Sequence, residues 1–513
     1  MPISRRLFTA ACFGSAILAV TPTLAVPSEK KDTSQENSPK CPNILYVLCD
    51  QLRAHSVGYM GVEPVQTPNL DAFEKESANL HQAVSNYPVC VPYRTIMMSG
   101  KYPLKNKVYV NCFWDGREMP DSLVWWSEIL KDNGYTTGYL GKWHISMHPR
   151  RYNGKRVTGS WLPQEKLHGF EWIHCHSGNN HMHPMYTDSR WPSDKAIRPE
   201  QWSPEYETDR AIEYLENKDG NCRDSSKPFM LVVSWNPPHS PYNRTYPERY
   251  WKPYENMNVE ELCRKAPNVP PATDRWGRMY RKDIRHYYAA ITGIDNQFGR
   301  LMRCLEKQGL KDNTLVIFTA DHGNCLGRHR QISKNNIYEE SMRVPLLMRL
   351  PGIIRPRKDS LLFSTVDMYP TLLDFAGLKQ AIPSDLDGTN LADAIRDGKG
   401  ARPKFQPYYQ TEASCRETKL PNYGRRGIRT LRYVLNLDYL PSKGGFHNIM
   451  LFDLKKDPFE LNNLATERPE LIKQLIEKHL RPWLEKTSDP WLKLLSIPDI
   501  LNAAAKNPVL VCD

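Results

Sequence analysis

The chain has 513 residues, 40% of them hydrophobic and 25% charged, with a formal net charge of +12. That length exceeds one typical core, so two domains or one domain with a large appendage are expected, and the composition is that of a soluble globular protein rather than a disordered one. The basic excess is diffuse, without a block of like charge or a nucleic-acid motif. A nucleic-acid partner is therefore set aside, while a sulfated or otherwise acidic polymer remains compatible.

The N-terminus reads as a targeting segment. Ser4-Arg5-Arg6-Leu7-Phe8 leads into an uncharged apolar run ending at Val20, too short to span a bilayer comfortably. Small residues at Thr23-Leu24-Ala25 suit cleavage, and the arginine pair before Phe8 fits a twin-arginine signal over 1–25. Export to the periplasm or medium is expected, with no membrane span elsewhere. Residues 26–40 are polar and read as a flexible lead-in. Of 12 cysteines, 11 would remain after processing; an exported protein could pair some of them, but the spacing does not say which.

Residues 44–49 are a continuous apolar run of strand length, as in a parallel sheet covered on both faces. The run delivers Asp50 and Gln51 to a strand end, a usual place for chemistry in α/β folds, although Asp50 could equally be a helix N-cap. Pro68 opens a helix. In Cys90-Val91-Pro92-Tyr93-Arg94, a short helix over 94–99, stopped by Gly100, would place Cys90 at its N-terminus. A cysteine there is either a buried structural residue or a reactive centre that develops negative charge.

Asp121 caps a helix to Asn133, and the next strand, 135–140, leads into Gly141-Lys142-Trp143-His144. Alternation puts Lys142 and His144 on one face. Residues 148–210 show little periodicity and read as a long loop insertion, with His174, His176, His181 and His183 shaping a pocket rather than a second metal site. A strand over 229–235 ends in Asn236-Pro237-Pro238-His239, where prolines limit where His239 can point. A helix over 283–308 is followed by a strand over 314–320 that ends in Asp321-His322-Gly323, and Lys334 lies a short loop later. Beyond a helix over 367–376 and a turn-rich stretch, short alternating runs near 408, 428 and 450 suggest a small antiparallel sheet, covered by an amphipathic helix over 469–486.

Cys-x-Pro-x-Arg at 90–94 resembles the sulfatase signature, with Tyr93 where the common form has Ser or Ala. In order, Asp50, Cys90, Gly141-Lys142-Trp143-His144, Pro238-His239, Asp321-His322-Gly323 and Lys334 resemble the sulfatase branch of the alkaline phosphatase superfamily over about residues 42–465. Thr67-Pro68-Asn69-Leu70, Tyr102-Pro103 and the run from Asp453 through Leu464 are similar to further phrases of that family.

The resemblance implies an α/β fold: an alkaline-phosphatase-like mixed, mostly parallel sheet flanked by helices in a catalytic domain over 41–400. A smaller α+β subdomain, an antiparallel sheet plus helix, would occupy 401–513. It implies that a maturation enzyme converts Cys90 to formylglycine, whose hydrate attacks sulfur to give a covalent sulfate ester, with Arg94 holding the hydrate. Asp50, Gln51, Asp321, His322 and the residue-90 oxygen would bind a metal, calcium as favourite and magnesium the alternative. Gln51 stands where many relatives have a second aspartate, and His322 where many have Asn. Lys142 and Lys334 would bind sulfate oxygens, His239 would protonate the leaving alcohol, and His144 would act as base on the hydrate. The substrate would be a sulfated carbohydrate or a small sulfate ester. A phosphate or phosphonate monoester hydrolase is the nearest alternative, and a non-catalytic binder of sulfated glycans another.

Overall fold

The computed structural model describes residues 41–111, 119–146, 151–157, 161–176, 178, 180–188, 190–411 and 423–506. The proposed signal segment and lead-in, and Cys112, Cys415 and Cys512, lie outside these residues. Eight strands form the main sheet: β1 (Asn43–Cys49), β2 (Ala78–Leu80), β3 (Thr136–Lys142), β4 (Trp172–His176), β5 (Phe229–Trp235), β6 (Thr314–Ala320), β7 (Leu346–Arg349) and β8 (Arg357–Asp359). Their order across the sheet is β8-β2-β7-β6-β1-β5-β3-β4. The central strands β6, β1, β5, β3 and β4 run parallel, and β7 pairs antiparallel with β6 and β2. Every residue of β1, β5 and β6 is buried, which is why their centres are continuous apolar runs instead of alternating.

Helices flank this sheet: α1 (Pro68–Glu74), α2 (Cys90–Ser99), α3 (Trp126–Asp132), α4 (Ser203–Glu216), α5 (Arg275–Lys307) and α6 (Met368–Phe375). A second, antiparallel sheet follows in simple order, β9 (Gln406–Gln410), β10 (Gly424–Arg429), β11 (Tyr433–Leu440) and β12 (Gly445–Asp453). Its apolar core joins Ile428, Leu435, Leu437 and Leu451 to Ile472, Leu480 and Trp491 from the C-terminal helices, and also to Ile96 of α2. The helix that carries Cys90 is thus gripped by the core of the second sheet as well as by the first, and all ten of its residues are buried.

Several elements depart from the sequence reading. The stretch 148–210 is not one loop: it holds β4, which extends the main sheet beside β3, and the start of α4. α3 starts at Trp126 rather than at Asp121, with the Glu128 carboxylate accepting from the Trp125 N–H at its start. α5 begins eight residues before the expected start, at Arg275, where Asp274 accepts from the Trp276 N–H. The expected helix over 469–486 is broken into Pro469–Leu475, a π-helical turn over Ile476–Leu480, and Arg481–Lys486. Among the described residues, Cys41, Cys49, Cys90, Cys222, Cys263, Cys304 and Cys325 form no disulfide, and no helix is long and apolar enough to cross a membrane.

Candidate active site

Strand register builds the site. In the parallel ladder Cys49 sits opposite both Ala320 and Trp235, so the next residues, Asp50, Asp321 and Asn236, emerge side by side at the C-terminal ends of β1, β6 and β5. Gly141 faces Ser234, so Lys142 joins the row from β3. Gly141 is required there: it has φ +89°, and a Cβ would lie 2.2 Å from the Ser234 carbonyl oxygen. The row faces the first turn of α2. That helix starts at Cys90 itself, four residues earlier than expected, and has no side-chain N-cap; Gly100 ends it at φ +64°.

Four groups lie close around the Cys90 sulfur. Lys334 Nζ is 3.0 Å away, His322 Nε2 3.3 Å, Asp50 Oδ1 3.6 Å and Lys142 Nζ 3.9 Å. His144 and His239 also hydrogen-bond this sulfur. His144 adopts φ +50°, an uncommon left-handed backbone for a residue with a side chain, and its buried Nδ1 has no partner. Burial and the Asp50 charge push the Cys90 thiol up, but Lys142, Lys334 and His322 outweigh them, and its pKa falls well below the ordinary thiol value. The residue at position 90 is therefore held where a negative charge is favoured.

Arg94 ties the strand ends together. Its Nη1 donates to Lys142 O (2.9 Å), Ser234 Oγ (2.8 Å) and Tyr139 Oη (3.3 Å), and its Nη2 to Asp50 Oδ2 (3.2 Å) and Asp321 Oδ2 (3.3 Å). One guanidinium thus fastens two strand-end carboxylates and the end of β3. Lys142 Nζ makes a 2.6 Å ion pair with Asp50 Oδ2 and also donates to Asn236 Oδ1 at 3.1 Å.

Gln51, at φ +69°, donates its backbone N–H to Asp321 Oδ1 (3.0 Å); its Oε1 accepts from Lys334 Nζ (3.0 Å), and its Nε2 donates to Tyr242 Oη (2.7 Å).

A donor set for a cation is present. Ligand atoms of Asp50, Cys90, Asp321 and His322 all lie within 4.8 Å of one another, fully buried. Burial and the neighbouring Asp50 raise Asp321, whereas Asp50 itself, though burial opposes it, is held low by Lys142, His239, Lys334 and His322. By itself the pair therefore favours one negative charge over two, and a divalent cation is the group that lets both ionise. Two carboxylates and a histidine fit a hard or borderline cation.

Two partners of this site carried no signal in the sequence reading, Tyr242 and Ser234, whereas His181 was expected to help shape a pocket. Tyr242 and Ser234 read as ordinary loop and strand residues. His181 lies in the stretch taken as a loop, where it donates from Nε2 to the His239 carbonyl (2.9 Å). Of its neighbours, His174 pairs with Asp188 and His176 with Glu207 at 3.2 Å each, while His183 is exposed.

Residues 42–378 match the family described as Sulfatase, and residues 327–488 match N-sulphoglucosamine sulphohydrolase, C-terminal. An endo-4-O-sulfatase of Bacteroides thetaiotaomicron is 34% identical over 490 residues, covering 89% of this chain and 94% of its own. An ulvan-active sulfatase of Formosa agariphila is 32% identical over 453 residues, 86% of this chain and 80% of its own. A structure solved in work on the metabolism of multiple glycosaminoglycans by Bacteroides thetaiotaomicron aligns with a TM-score of 0.83 at 33% identity, covering 90% of this chain and 99% of that one. A family match over more than half the chain, joined to relatives of this identity along most of its length, shows that the chain belongs to the sulfatases, hydrolases of sulfuric esters.

Proposed function

We propose that this sulfatase removes sulfate from a sulfated polysaccharide or its fragments, using Cys90 matured to formylglycine and a calcium or magnesium ion held by Asp50, Asp321, His322 and the residue-90 oxygen. The observation that carries this reading is the convergence of two lysines, three histidines and two buried carboxylates on Cys90 at the first turn of a buried helix. The names of the endo-4-O-sulfatase and the ulvan-active sulfatase support a carbohydrate sulfate as substrate. Export across the inner membrane, read from Arg5 and Arg6, suits a polymer that cannot enter the cell.

The chain's own residues would divide the work as follows. Lys142 and Lys334 flank residue 90 and bind sulfate oxygens, supplying fixed positive charge where the transition state gathers negative charge. His239 donates a proton to the leaving alcohol oxygen; its Nδ1–H already points at the Ser240 carbonyl (2.7 Å), which leaves Nε2 to face the reacting centre. His144, kept neutral because burial lowers its pKa, takes a proton from the hydroxyl at residue 90. Arg94 acts through Asp50 and Asp321, holding both in place, and not by gripping the nucleophile. The hydrated aldehyde supplies an oxygen nucleophile with a second hydroxyl through which sulfate can later be expelled, and the cation supplies Lewis-acid charge.

The test is mass spectrometry of the Cys90 peptide from active enzyme, joined to a screen for sulfate release from sulfated polysaccharide fragments, with aryl phosphate and phosphonate esters as controls. An aldehyde at residue 90 and release from 4-O-sulfated fragments are expected. Full activity with an unmodified thiol would sink the mechanism. Phosphonate turnover exceeding sulfate turnover would sink the substrate class.

A further inference from the structure

We infer that Asn236 and His181 are positioning residues that set the two sides of the sulfate site independently, Asn236 through Lys142 and His181 through His239. The inference rests on the reading of Lys142 as a sulfate ligand and His239 as the acid. It starts from the one residue of the strand-end row that this reading leaves without a role.

Asn236 follows directly on β5 and is fully buried. Its amide has little choice of orientation. Lys142 Nζ can only donate, so the Asn236 atom 3.1 Å from it is the oxygen. Among the described residues the Nδ2 group then faces the Gly178 carbonyl at 3.0 Å and His181 Nδ1 at 3.5 Å. Flipping the amide would set N–H against ammonium and oxygen against carbonyl.

His181 is equally constrained. Its Nε2 lies 2.9 Å from the His239 carbonyl, which can only accept, so the ring carries its proton on Nε2 and leaves Nδ1 as the acceptor that meets Asn236. The ring is 2% exposed, and burial lowers its pKa to about 3, so it stays neutral at working pH and keeps this tautomer. Four residues form one chain in consequence: Lys142, Asn236, His181 and the backbone of His239. Lys142 and His239 stand on β3 and on the loop after β5, yet each is aimed by a group that neither strand nor loop supplies alone.

The arms differ in chemistry, and that makes them separable. Asn236 gives Lys142 its second acceptor. Without it the ammonium is drawn toward the Asp50 carboxylate, 2.6 Å away, so sulfate binding weakens for every ester alike. His181 touches neither sulfate nor Lys142. It holds the peptide on which the His239 ring is mounted, so its loss misplaces the proton donor. A misplaced acid matters for alcohols that leave poorly and little for phenols that leave well.

The experiment measures kcat/KM for an activated aryl sulfate, 4-nitrophenyl sulfate, and for a sulfated disaccharide. The proteins are the parent, H239A, H181F, H181Q and N236A. H181F keeps a ring but loses the N–H, and H181Q keeps an N–H donor. We expect H181F to reproduce the pattern of H239A in weaker form: about tenfold or more lost on the disaccharide with less than threefold lost on the aryl ester. H181Q should recover most of that loss. N236A should lose about equally on both esters.

Equal loss on both esters in H181F, or no rescue by H181Q, would overturn the His181 arm. A leaving-group-dependent loss in N236A would overturn the Asn236 arm. If H239A itself shows no dependence on leaving group, the assignment of the acid fails, and the inference about His181 fails with it. Circular dichroism of each variant identifies one that is merely unfolded, and for H181F the smaller change in H181Q then decides.

Discussion

Replacing Glu63 by Gln should destabilise the protein by about 3 kcal/mol at neutral pH, because this carboxylate holds together two buried arginines. Arg53 Nη2 lies 2.9 Å from Glu63 Oε2 and Arg328 Nη2 2.9 Å from Oε1, with all three side chains nearly or fully inaccessible. Ser56 Oγ adds a hydrogen bond. Burial by itself would raise the Glu63 pKa, but the two guanidiniums prevail and take it from 4.5 to about 2. At about 1.4 kcal/mol per tenfold, that displacement corresponds to roughly 3 kcal/mol of native-state stabilisation. It agrees with the about 3–5 kcal/mol lost when one partner of a buried ion pair is removed.

The sign follows from a folded pKa that is depressed. The contribution is complete above the unfolded value of 4.5 and fades as pH falls toward 2. Urea unfolding followed by tryptophan fluorescence should therefore show a gap between parent and E63Q of about 3 kcal/mol at pH 7, narrowing to about 1.4 kcal/mol at pH 3. Activity should fall as well. Arg53 Nη1 donates to the Asn324 carbonyl (2.9 Å), and Tyr287 Oη bridges the Gln51 carbonyl and the Arg53 N–H, so this cluster braces the loops that carry Asp50 and Asp321. A gap under 1 kcal/mol at pH 7, or one that does not change with pH, would refute the reasoning.

Chelation should abolish sulfate release and lower the thermal midpoint, since Asp50 and Asp321 then lose the cation that lets both ionise; added calcium or magnesium should restore both, and an unchanged midpoint and rate in metal-free protein would contradict the donor set. In the second sheet, the Arg426 guanidinium lies 3.7 Å over the Tyr409 ring and 5.1 Å from that of Trp491, and its Nε donates to Asp489 Oδ2 at 2.7 Å, with both charged side chains fully buried. Asp489→Ala removes the carboxylate that faces this buried cation and should cost about 3–5 kcal/mol in the same urea assay.

Much of the catalytic geometry was legible because parallel sheets leave a plain mark. Residues 44–49, 229–233 and 315–318 are apolar at every position, as a strand covered on both faces requires, and the first charged residue after the runs at 44 and 315 marks the strand end. Asp50 and Asp321 were found in that way, and the chain-order resemblance joined them to Cys90, His239 and Lys334. The strand 172–176 left no such mark. It lies at the sheet edge, with His174 and His176 tied to Asp188 and Glu207 by side-chain contacts, so its pattern is neither continuous nor alternating. Helix boundaries shifted for a local reason: caps at Asp274 and Glu128 look like ordinary polar residues until the chain around them is folded.

What the sequence could not contain is the pairing of polar groups distant along the chain. Arg94 reads as a residue beside the nucleophile, and its length and buried position instead carry its guanidinium to two carboxylates, 44 and 227 residues away. Glu63 meets Arg328 across 265 residues, and His181 meets the His239 carbonyl across 58. Periodicity and local propensity govern contacts within a turn or along a strand, so they determined the strands, the helix behind Cys90 and the row of strand-end residues. A buried charge or amide must find whichever partner the packed core brings within about 3 Å, and only the tertiary structure decides which one that is.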